Sequence, residues 1–417
     1  MESASAASKR IRATLIACIM IFALGQFHRA AGGVFGPILT DRLDAPAALL
    51  GLLVGAMFAA TLASQAPAGA ALDRFGAKPV ILWALAFVGV GSALFAAAPS
   101  LGDATWPALF ASRIISGAGL AATGAGVQIA LARNLPPGDY GYASGLLVTL
   151  GGVGGLLGTW PLAAALERLS WVVVFGGVAG IVCLATVLVL KILPSEPPAS
   201  CKPTDEHVSF RSLLRRKDIR RILCLGAVTY APIVTITGLW GGPYLQDVHG
   251  MSPEDAGRAL MGLFAATIAA GFVFGRIDRI GRGRNELIVC SAAGSAGCLT
   301  LLALIPAPDA WLALTLIGSA VFLQQFYIPL GVRLRDAVPG SALGRANALM
   351  MLVAVGAIPV MQAAFGVILD ASDAFGAPPD VRYRAAFGAI AATLAIAIIV
   401  YLPQRPAGDQ TNWQRGA

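Results

Sequence analysis

Charged residues are scarce in this sequence. Of its 417 residues, 12% are Asp, Glu, Lys or Arg, 57% are apolar, and the mean hydropathy is +0.75. Soluble domains carry about 25% charged residues, because a surface in contact with water needs them. The composition therefore excludes an ordinary soluble enzyme, a disordered chain and a nucleic-acid-binding protein, in spite of the net charge of +8.

Cysteine and histidine are also scarce. The six cysteines show no C-x-x-C spacing, and there are only three histidines. These numbers predict neither a disulfide framework nor a metal site. No phosphate-binding G-x-x-x-x-G-K-[ST] motif is present, and no nucleophile–base pair falls within an apolar run. We therefore expect a protein that is not an enzyme and that needs no cofactor.

Long apolar runs, by contrast, are frequent. A helix needs about 20 apolar residues to cross the hydrocarbon core of a bilayer, and twelve runs reach that length. They predict an all-α membrane protein of twelve transmembrane helices, six in each of two pseudo-symmetric bundles. The runs, numbered as spans 1 to 12, are 13–39, 48–71, 78–98, 105–131, 141–165, 171–192, 221–245, 256–275, 286–305, 311–332, 343–368 and 384–402.

Positive charges are unevenly distributed among the loops. If both termini are cytoplasmic, 23 of the 30 Lys and Arg residues fall in cytoplasmic segments and five fall in external loops. Positive residues concentrate on the cytoplasmic side of membrane proteins. We therefore predict a multi-pass protein of the cell inner membrane with both termini in the cytoplasm. The remaining two, Arg29 and Arg113, lie within spans.

The longest internal connection divides the chain. It predicts an N-terminal bundle at 1–193, a cytoplasmic loop at 194–219, and a C-terminal bundle with a short cytoplasmic tail at 220–417. The basic stretch 211–217 predicts a helix lying on the anionic inner leaflet of the membrane, and a regulatory site is the alternative.

The two halves repeat each other. A glycine-rich, basic loop surrounds Asp73 after span 2, and a similar loop surrounds Asp278 after span 8, 205 residues later. A second pair of similar segments, 133–138 and 335–340, follows spans 4 and 10. Matched loops on the same side of the membrane indicate parallel repeats, related by an axis along the membrane normal.

Glycine spacing also indicates close helix packing. Pairs of glycines four residues apart let helix backbones approach each other in lipid. They occur at Gly32/Gly36, Gly51/Gly55, Gly151/Gly155, Gly154/Gly158 and Gly176/Gly180.

Taken with the twelve spans, two motifs resemble the major facilitator superfamily. The loop from Gly69 to Lys78 is similar to the family's G-x-x-x-D-R-x-G-x-K/R signature, and Arg113 begins an R-x-x-x-G sequence in span 4. The resemblance implies alternating access, with these residues gating the cytoplasmic side; the alternative is that they only anchor the loop. The matching residues are Gly69, Asp73, Arg74, Gly76, Lys78, Arg113 and Gly117, and, in the second copy, Asp278 and Arg279. Ala77 and Phe274 depart from the pattern.

The charged residues within the spans predict the substrate. No acidic residue lies near the middle of a span, but Arg29 does. Because a guanidinium cannot lose its charge and grips carboxylate or phosphate in a bidentate manner, Arg29 predicts an anionic substrate. In the alternative, Arg29 binds helix carbonyls and Gln26 as a structural post. A central arginine on span 1 is similar to the organic-anion and organophosphate branches of the family.

His28 is the candidate for proton coupling. An unperturbed histidine titrates with a pKa of about 6.5, and Arg29 would disfavour its protonation until an anion binds. In the alternative, a neutral His28 donates to a backbone carbonyl.

Further candidates for substrate contact lie on spans 7, 10 and 11. The segment 238–244 is rich in glycine and predicts a break or bend in span 7 near its outer end. Aromatic and amide side chains can equally well hold helices together. The candidates are Tyr230, Trp240 and Tyr244 on span 7, Gln324, Gln325 and Tyr327 on span 10, and Gln362 on span 11.

These features predict a monomeric secondary transporter that takes up a small organic anion, with the lipid bilayer and that solute as its only partners.

 The proton gradient is the expected driving force, and no obligate protein partner is expected.

Two alternatives remain open. A proton-coupled drug or metabolite efflux antiporter usually carries a Gly-Pro pair in span 5, where this chain has Trp160-Pro161, and it would need a central carboxylate. A membrane sensor on the same fold would need a larger cytoplasmic domain than the central loop or the C-terminal tail provides.

Overall fold

The structure, a computed structural model, describes residues 2–135, 137–193, 210–278, 283–338 and 342–402. These ranges contain seventeen α-helices. They are α1 Glu2–Ala30, α2 Gly32–Leu43, α3 Ala47–Phe75, α4 Ala77–Ala97, α5 Thr105–Asn134, α6 Pro137–Leu157, α7 Trp160–Arg168, α8 Trp171–Ile192, α9 Phe210–Arg215, α10 Lys217–Thr235, α11 Gly241–His249, α12 Pro253–Asp278, α13 Arg284–Leu304, α14 Ala310–Leu323, α15 Tyr327–Asp336, α16 Leu343–Ala374 and α17 Pro379–Tyr401.

Twelve helical stretches in the described ranges are long and apolar enough to cross a membrane, as the sequence predicts. Eight spans are single helices, namely α3, α4, α5, α8, α12, α13, α16 and α17. The other four are interrupted: span 1 is α1 and α2, span 5 is α6 and α7, span 7 is α10 and α11, and span 10 is α14 and α15. The basic stretch before span 7 is helical, because it forms the short helix α9 and the start of α10. Its position on the inner leaflet stays a prediction.

The interruptions of spans 1 and 7 occupy equivalent positions in the two halves. Span 1 is broken at Ala31, and span 7 passes through a π-helical turn, Ile236–Trp240. Their starting points are 205 residues apart, the same offset as Asp73 and Asp278. The predicted break in span 7 is therefore confirmed, and it begins at Ile236, ahead of the glycines. Interruptions of this kind free backbone groups that a binding site can use.

The chain divides into two compact units. Unit 1 comprises Met1–Lys202 together with Thr237–Gln246 and Met251–Met261, and unit 2 comprises Pro203–Ile236, Asp247–Gly250 and Gly262–Ala417. The predicted connecting loop, 194–219, lies mostly outside the described residues, so the predicted domain boundaries stay a prediction.

The same pairs of spans pack together in each unit. In unit 1, α4 packs on α5 and α8, and α1 packs on α6. In unit 2, α13 packs on α14 and α17, and α10 packs on α16. Span 3 thus packs on spans 4 and 6, and span 1 on span 5. In unit 2, the corresponding span 9 packs on spans 10 and 12, and span 7 on span 11. These three packing pairs therefore recur in the two halves, as expected for parallel repeats.

Glycine brings several of these helices into backbone contact. A Cβ added at Gly154 of α6 would overlap the Ala23 carbonyl oxygen of α1, and one added at Gly117 of α5 would overlap the Met57 carbonyl oxygen of α3. At Gly176 and Gly180 of α8 no described atom lies within 4 Å of such a Cβ. The close packing predicted from the Gly176/Gly180 spacing is therefore wrong, because these two positions are exposed on the outside of α8.

Candidate functional site

A buried arginine is the most unusual feature of unit 1. Arg113 lies on α5 and is only 5% exposed. Its guanidinium carbon is 4.5 Å from the centre of the Phe35 ring and 4.0 Å from the centre of the Phe95 ring. Both rings therefore present their electron-rich faces to the cation, which is a favourable cation–π geometry.

These rings belong to an aromatic cage formed by Phe35, Phe95, Trp171 and Phe175, from α2, α4 and α8. Ring centres within the cage lie between 4.5 Å (Trp171 to Phe175) and 6.3 Å (Phe35 to Trp171) apart. The Trp171 indole N–H donates to the Phe95 carbonyl oxygen at 2.9 Å. This bond holds the start of α8 against the end of α4, so the cage is fixed by packing as well as by a buried hydrogen bond.

The edge of the Arg113 guanidinium is poorly satisfied. Nη1 lies 3.7 Å from the Met57 thioether sulfur, which is a weak acceptor, and Nε has no hydrogen-bond partner among the described residues. Burying an ion costs several kcal/mol, whereas a desolvated cation–π contact returns about 2 kcal/mol. The two rings therefore offset only part of the cost of this buried charge.

His28, on α1, is buried beside the aromatic cage. Its Nδ1 lies 2.8 Å from the Leu24 carbonyl oxygen, and its Nε2 lies 3.0 Å from the Ser92 hydroxyl of α4. Because a carbonyl oxygen can only accept, Nδ1 carries the proton and Nε2 accepts from Ser92. Both nitrogens are thus satisfied in the neutral imidazole, which is the alternative that the sequence left open for this residue.

Arg29 has a different environment from Arg113. It is half-buried, and its Nη1 lies 3.4 Å from the position that a Cβ on Gly25 would take. The same position lies 3.3 Å from the Thr123 hydroxyl oxygen of α5. The side chain therefore runs back along α1 by one turn, on the side that faces α5. Gln26, the neighbouring candidate, is also half-buried.

The signature loop joins α3 to α4. Gly76 has φ +81°, a conformation that glycine adopts without strain, and this explains the glycine of the motif. Asp73 and Arg74 are exposed at the end of α3, and within the described part of the chain Asp73 makes no hydrogen bond or ion pair. Lys78 donates to the Leu190 carbonyl oxygen at the end of α8, at 2.9 Å. A cation is favourable at this position because of the helix dipole.

The remaining residues of the motif differ in how much the structure says about them. No described atom lies within 4 Å of a Cβ added at Gly69. Gly117 provides the backbone contact between α5 and α3, and the Thr61 hydroxyl donates to its carbonyl oxygen at 2.9 Å. In the second copy, Asp278 ends α12, and Arg279 lies outside the described residues.

The predicted contacts on spans 10 and 11 are mostly buried in unit 2. Gln324 begins the 3-10 turn that interrupts span 10, and its Nε2 donates to the Ser295 hydroxyl of α13 at 3.0 Å. Gln362 is fully buried, whereas Gln325 and Tyr327 are half-buried. The Tyr327 hydroxyl contacts the Met351 sulfur at 3.6 Å.

On span 7, Tyr230 lies in α10 of unit 2 and is half-buried. Trp240 and Tyr244 belong to unit 1, where they are 2% and 3% exposed. The structure thus brings His28 together with Ser92, and Gln324 together with Ser295. Ser92 and Ser295 are 203 residues apart and lie on the corresponding spans 3 and 9.

A polar cluster between α7 and α12, formed by Trp160, Glu167, Glu254, Asp255 and Arg258, was not predicted. The Trp160 indole N–H donates to Glu254 at 3.0 Å, and the Glu254 backbone N–H donates to the Glu167 carboxylate at 3.1 Å. Arg258 pairs with both Glu254 and Asp255. The only local signal is the Glu-Asp-x-x-Arg sequence in the first turns of α12; its partners on α7 are too distant in sequence to be predicted.

Close to this cluster in the fold of unit 1, spans 1 and 7 are in backbone contact at their interruptions. A Cβ added at Gly32 would overlap the Gly238 carbonyl oxygen, and one added at Gly242 would overlap the Gly33 carbonyl oxygen. Glycine at positions 32 and 242 is what permits the two interrupted helices to touch.

A sequence profile of the Major Facilitator Superfamily matches residues 15–270 and 223–417. The chain belongs to this superfamily. Its members are transporters and not enzymes, so the predicted fold and general role are confirmed. The search of curated proteins found no match.

Solved structures of other superfamily transporters share the fold at low sequence identity. A mutant of the nucleoside transporter NupG has a TM-score of 0.77 and 15% identity, covering 94% of this chain and 100% of its own. A bacterial homologue of the human lysosomal transporter Spinster has a TM-score of 0.77 and 17% identity, covering 93% of this chain and 95% of its own. A D-xylose–proton symporter has a TM-score of 0.77 and 16% identity, covering 95% of this chain and 98% of its own. At these identities the likeness establishes the fold alone, and the organic-anion branch stays a prediction.

Proposed function

We propose that this superfamily member is a secondary active transporter that takes up a small organic anion, a carboxylate or a phosphorylated metabolite, by alternating access. One observation supports this proposal above the others. Unit 1 holds two arginines, Arg29 and Arg113, deep within its spans, while the acidic residues of the described spans lie near the span ends. Two fixed positive charges at this depth create a positive potential that favours an anionic solute over a cation.

Of the two arginines, Arg29 is the one that we assign to the substrate. Its side chain is half-buried and follows the surface of α1 towards Thr123, so a solute can reach it. Arg113 is enclosed by aromatic rings and is 5% exposed, which leaves no path for an organic molecule. A guanidinium can bind a carboxylate or a phosphate through two parallel hydrogen bonds, and this geometry gives Arg29 its proposed role.

The proposal includes coupling to protons. His28 is the only histidine in the described spans that lies next to both arginines in this unit. Its protonation would require the Ser92 hydroxyl to turn, because Nε2 would become a donor in place of an acceptor. An anion at Arg29 would lessen the positive potential that opposes this protonation, so the proton and the anion would bind together.

The test is uptake into proteoliposomes containing the purified protein. The solutes are mono-, di- and tricarboxylates and sugar phosphates, together with a nucleoside and D-xylose, each with and without an inward proton gradient. We expect accumulation of at least one anion, increased by the gradient. Arg29→Gln should reduce that uptake to the level of empty liposomes, because the substituted amide retains hydrogen bonds but has no charge to hold the anion.

Arg42→Gln is the matched control, since Arg42 is an exposed arginine on α2 of the same span and its loss removes the same charge. It should retain normal uptake. Preferential uptake of the nucleoside or the sugar over every anion would contradict the proposed substrate class, and so would near-normal anion uptake by Arg29→Gln. Anion uptake that does not respond to the proton gradient would contradict the coupling alone.

A further inference from the structure

A small cavity lies inside unit 1, next to Arg113. Four polar residues line it, Arg113 and Ser116 from α5, Ser92 from α4 and His28 from α1, and the rings of Phe95 and Phe175 form part of its wall. It has room for one water molecule or one halide ion. A carboxylate or phosphate group is too large for this space.

The polar groups around the cavity offer donors and few acceptors. The Nε–H of Arg113 has no partner among the described residues, and the Phe35 and Phe95 rings contact the faces of the guanidinium, not its edge. The structure gives the Ser116 hydroxyl no hydrogen bond within the described chain, although Ser116 is only 3% exposed. His28 and Ser92 satisfy each other. The unmet groups are therefore one charged donor and one hydroxyl.

A fixed positive charge and a free hydroxyl in a cavity of this size determine which kind of ligand can bind there. The ligand must be an acceptor, because the guanidinium of Arg113, which lines the cavity, can only donate. A negative charge is favoured, because no carboxylate lies against Arg113 to neutralise it in the described structure. A single atom fits, and a polyatomic anion does not. We propose that this cavity binds one halide ion, chloride under ordinary conditions, as the counter-ion of Arg113.

A halide that neutralises Arg113 leaves the charge of Arg29, the arginine that we assign to the substrate, so this proposal does not depend on which solute is transported. The halide would stabilise the folded unit by neutralising Arg113 between α1, α4, α5 and α8. Since a ligand that binds only the folded state raises stability in proportion to its occupancy, the protein should become more stable as chloride is added, and the effect should saturate.

The test compares thermal unfolding of the purified protein in sodium chloride and in sodium gluconate at the same ionic strength. We expect a midpoint that is a few degrees higher in chloride, with a saturating dependence on concentration. Ser116→Ala removes one donor without changing the charge. It should raise the chloride concentration needed for half of the shift about tenfold or more. Bromide diffused into crystals should give one anomalous peak beside the Arg113 guanidinium.

Ser112→Ala is the control on the same helix. Ser112 is equally buried, but its hydroxyl donates to the Leu109 carbonyl oxygen of its own helix at 2.6 Å, so the chloride response should not change. Equal midpoints in chloride and gluconate would overturn the proposal and leave a water molecule as the occupant. A chloride response that Ser116→Ala and Ser112→Ala alter to the same extent would place the halide elsewhere and would also overturn it.

Discussion

A glycine in a membrane-spanning helix contributes to packing only where another backbone approaches it. Gly154 meets this condition, because the Ala23 carbonyl oxygen of α1 occupies the place of a side chain. Gly176 does not, because no described atom lies within 4 Å of a Cβ added there. The two glycines have the same spacing signal in the sequence but opposite roles in the structure.

We expect Gly154→Ala to destabilise the protein. The added methyl group must push α6 away from α1, and overpacking of this kind costs about 1–3 kcal/mol. Because α1 also holds Arg29 and His28, the displacement should reduce transport as well. The measurement is the midpoint of thermal unfolding of the purified variant, which should fall by several degrees relative to the parent protein.

Gly176→Ala is the matched control for this substitution. It adds the same methyl group at an exposed position on α8, where alanine is favoured over glycine in a helix by up to about 1 kcal/mol. Its midpoint should be unchanged or slightly higher. Equal losses in the two variants would show that helix packing at Gly154 does not account for the effect.

At single positions, the sequence predicted where a residue lies along its span better than it predicted which residues surround it. Arg29 could be placed within span 1 by counting along an apolar run, and the structure finds it there, on α1. The partners of His28 could not be predicted, because Ser92 is 64 residues away. The aromatic cage around Arg113 brings together rings from three helices, and no local pattern marks them. Which residues bind substrate stays a prediction.

Among the described helices, the first turns of α12 make polar contacts with another span, α7. Glu254 receives the Trp160 indole N–H and pairs with Arg258, while its backbone N–H donates to Glu167. If both termini are cytoplasmic, this end of the helices faces outside. We interpret the cluster as a latch that fastens α12 to α7 on that side.

We expect Glu254→Gln to loosen this latch. The substitution removes the charge that pairs with Arg258 and weakens the acceptor for Trp160, and hydrogen bonds to charged groups are stronger than those between neutral groups. Amide hydrogen exchange in residues 253–261 should therefore become about tenfold faster or more. The measurement is exchange followed by mass spectrometry on the protein in detergent or lipid nanodiscs.

Asp255→Asn provides the comparison for this variant. It removes the same charge one residue away and also breaks a pair with Arg258, but Asp255 does not contact Trp160. Exchange in the same residues should change much less. If both variants accelerate exchange equally, the loss of charge, and not the contact with α7, determines the stability of these turns.

Helices as elements were largely predictable from the sequence, and the contacts between them were not. Long apolar runs identify the spans because a backbone in lipid must satisfy its own hydrogen bonds. The glycines of span 7 predicted its interruption. Span 1 is also interrupted, at Ala31, although the glycine pair Gly32 and Gly33 follows that point. The α7–α12 cluster depends on pairs up to 94 residues apart.

At the scale of the whole molecule, the distribution of charge predicts the orientation in the membrane. The two sides of the membrane differ in the charge of their loops. On the predicted cytoplasmic side, α9 belongs to the basic central segment; on the predicted external side, the connection between α16 and α17 has few positive charges. Each Lys or Arg near an anionic cytoplasmic surface contributes about 1 kcal/mol. With 23 positive residues on one side and five on the other, the preference for one orientation should be strong.

This orientation predicts which side of the membrane each loop occupies. In a variant whose six cysteines are replaced by alanine, Phe375→Cys should react with a membrane-impermeant maleimide in intact cells, because Phe375 is 91% exposed after α16, on the external side. Leu214→Cys, on α9, is 44% exposed and should react only after the membrane is permeabilised. The reverse pattern would show that the termini are external, and the α7–α12 latch would then close the cytoplasmic side.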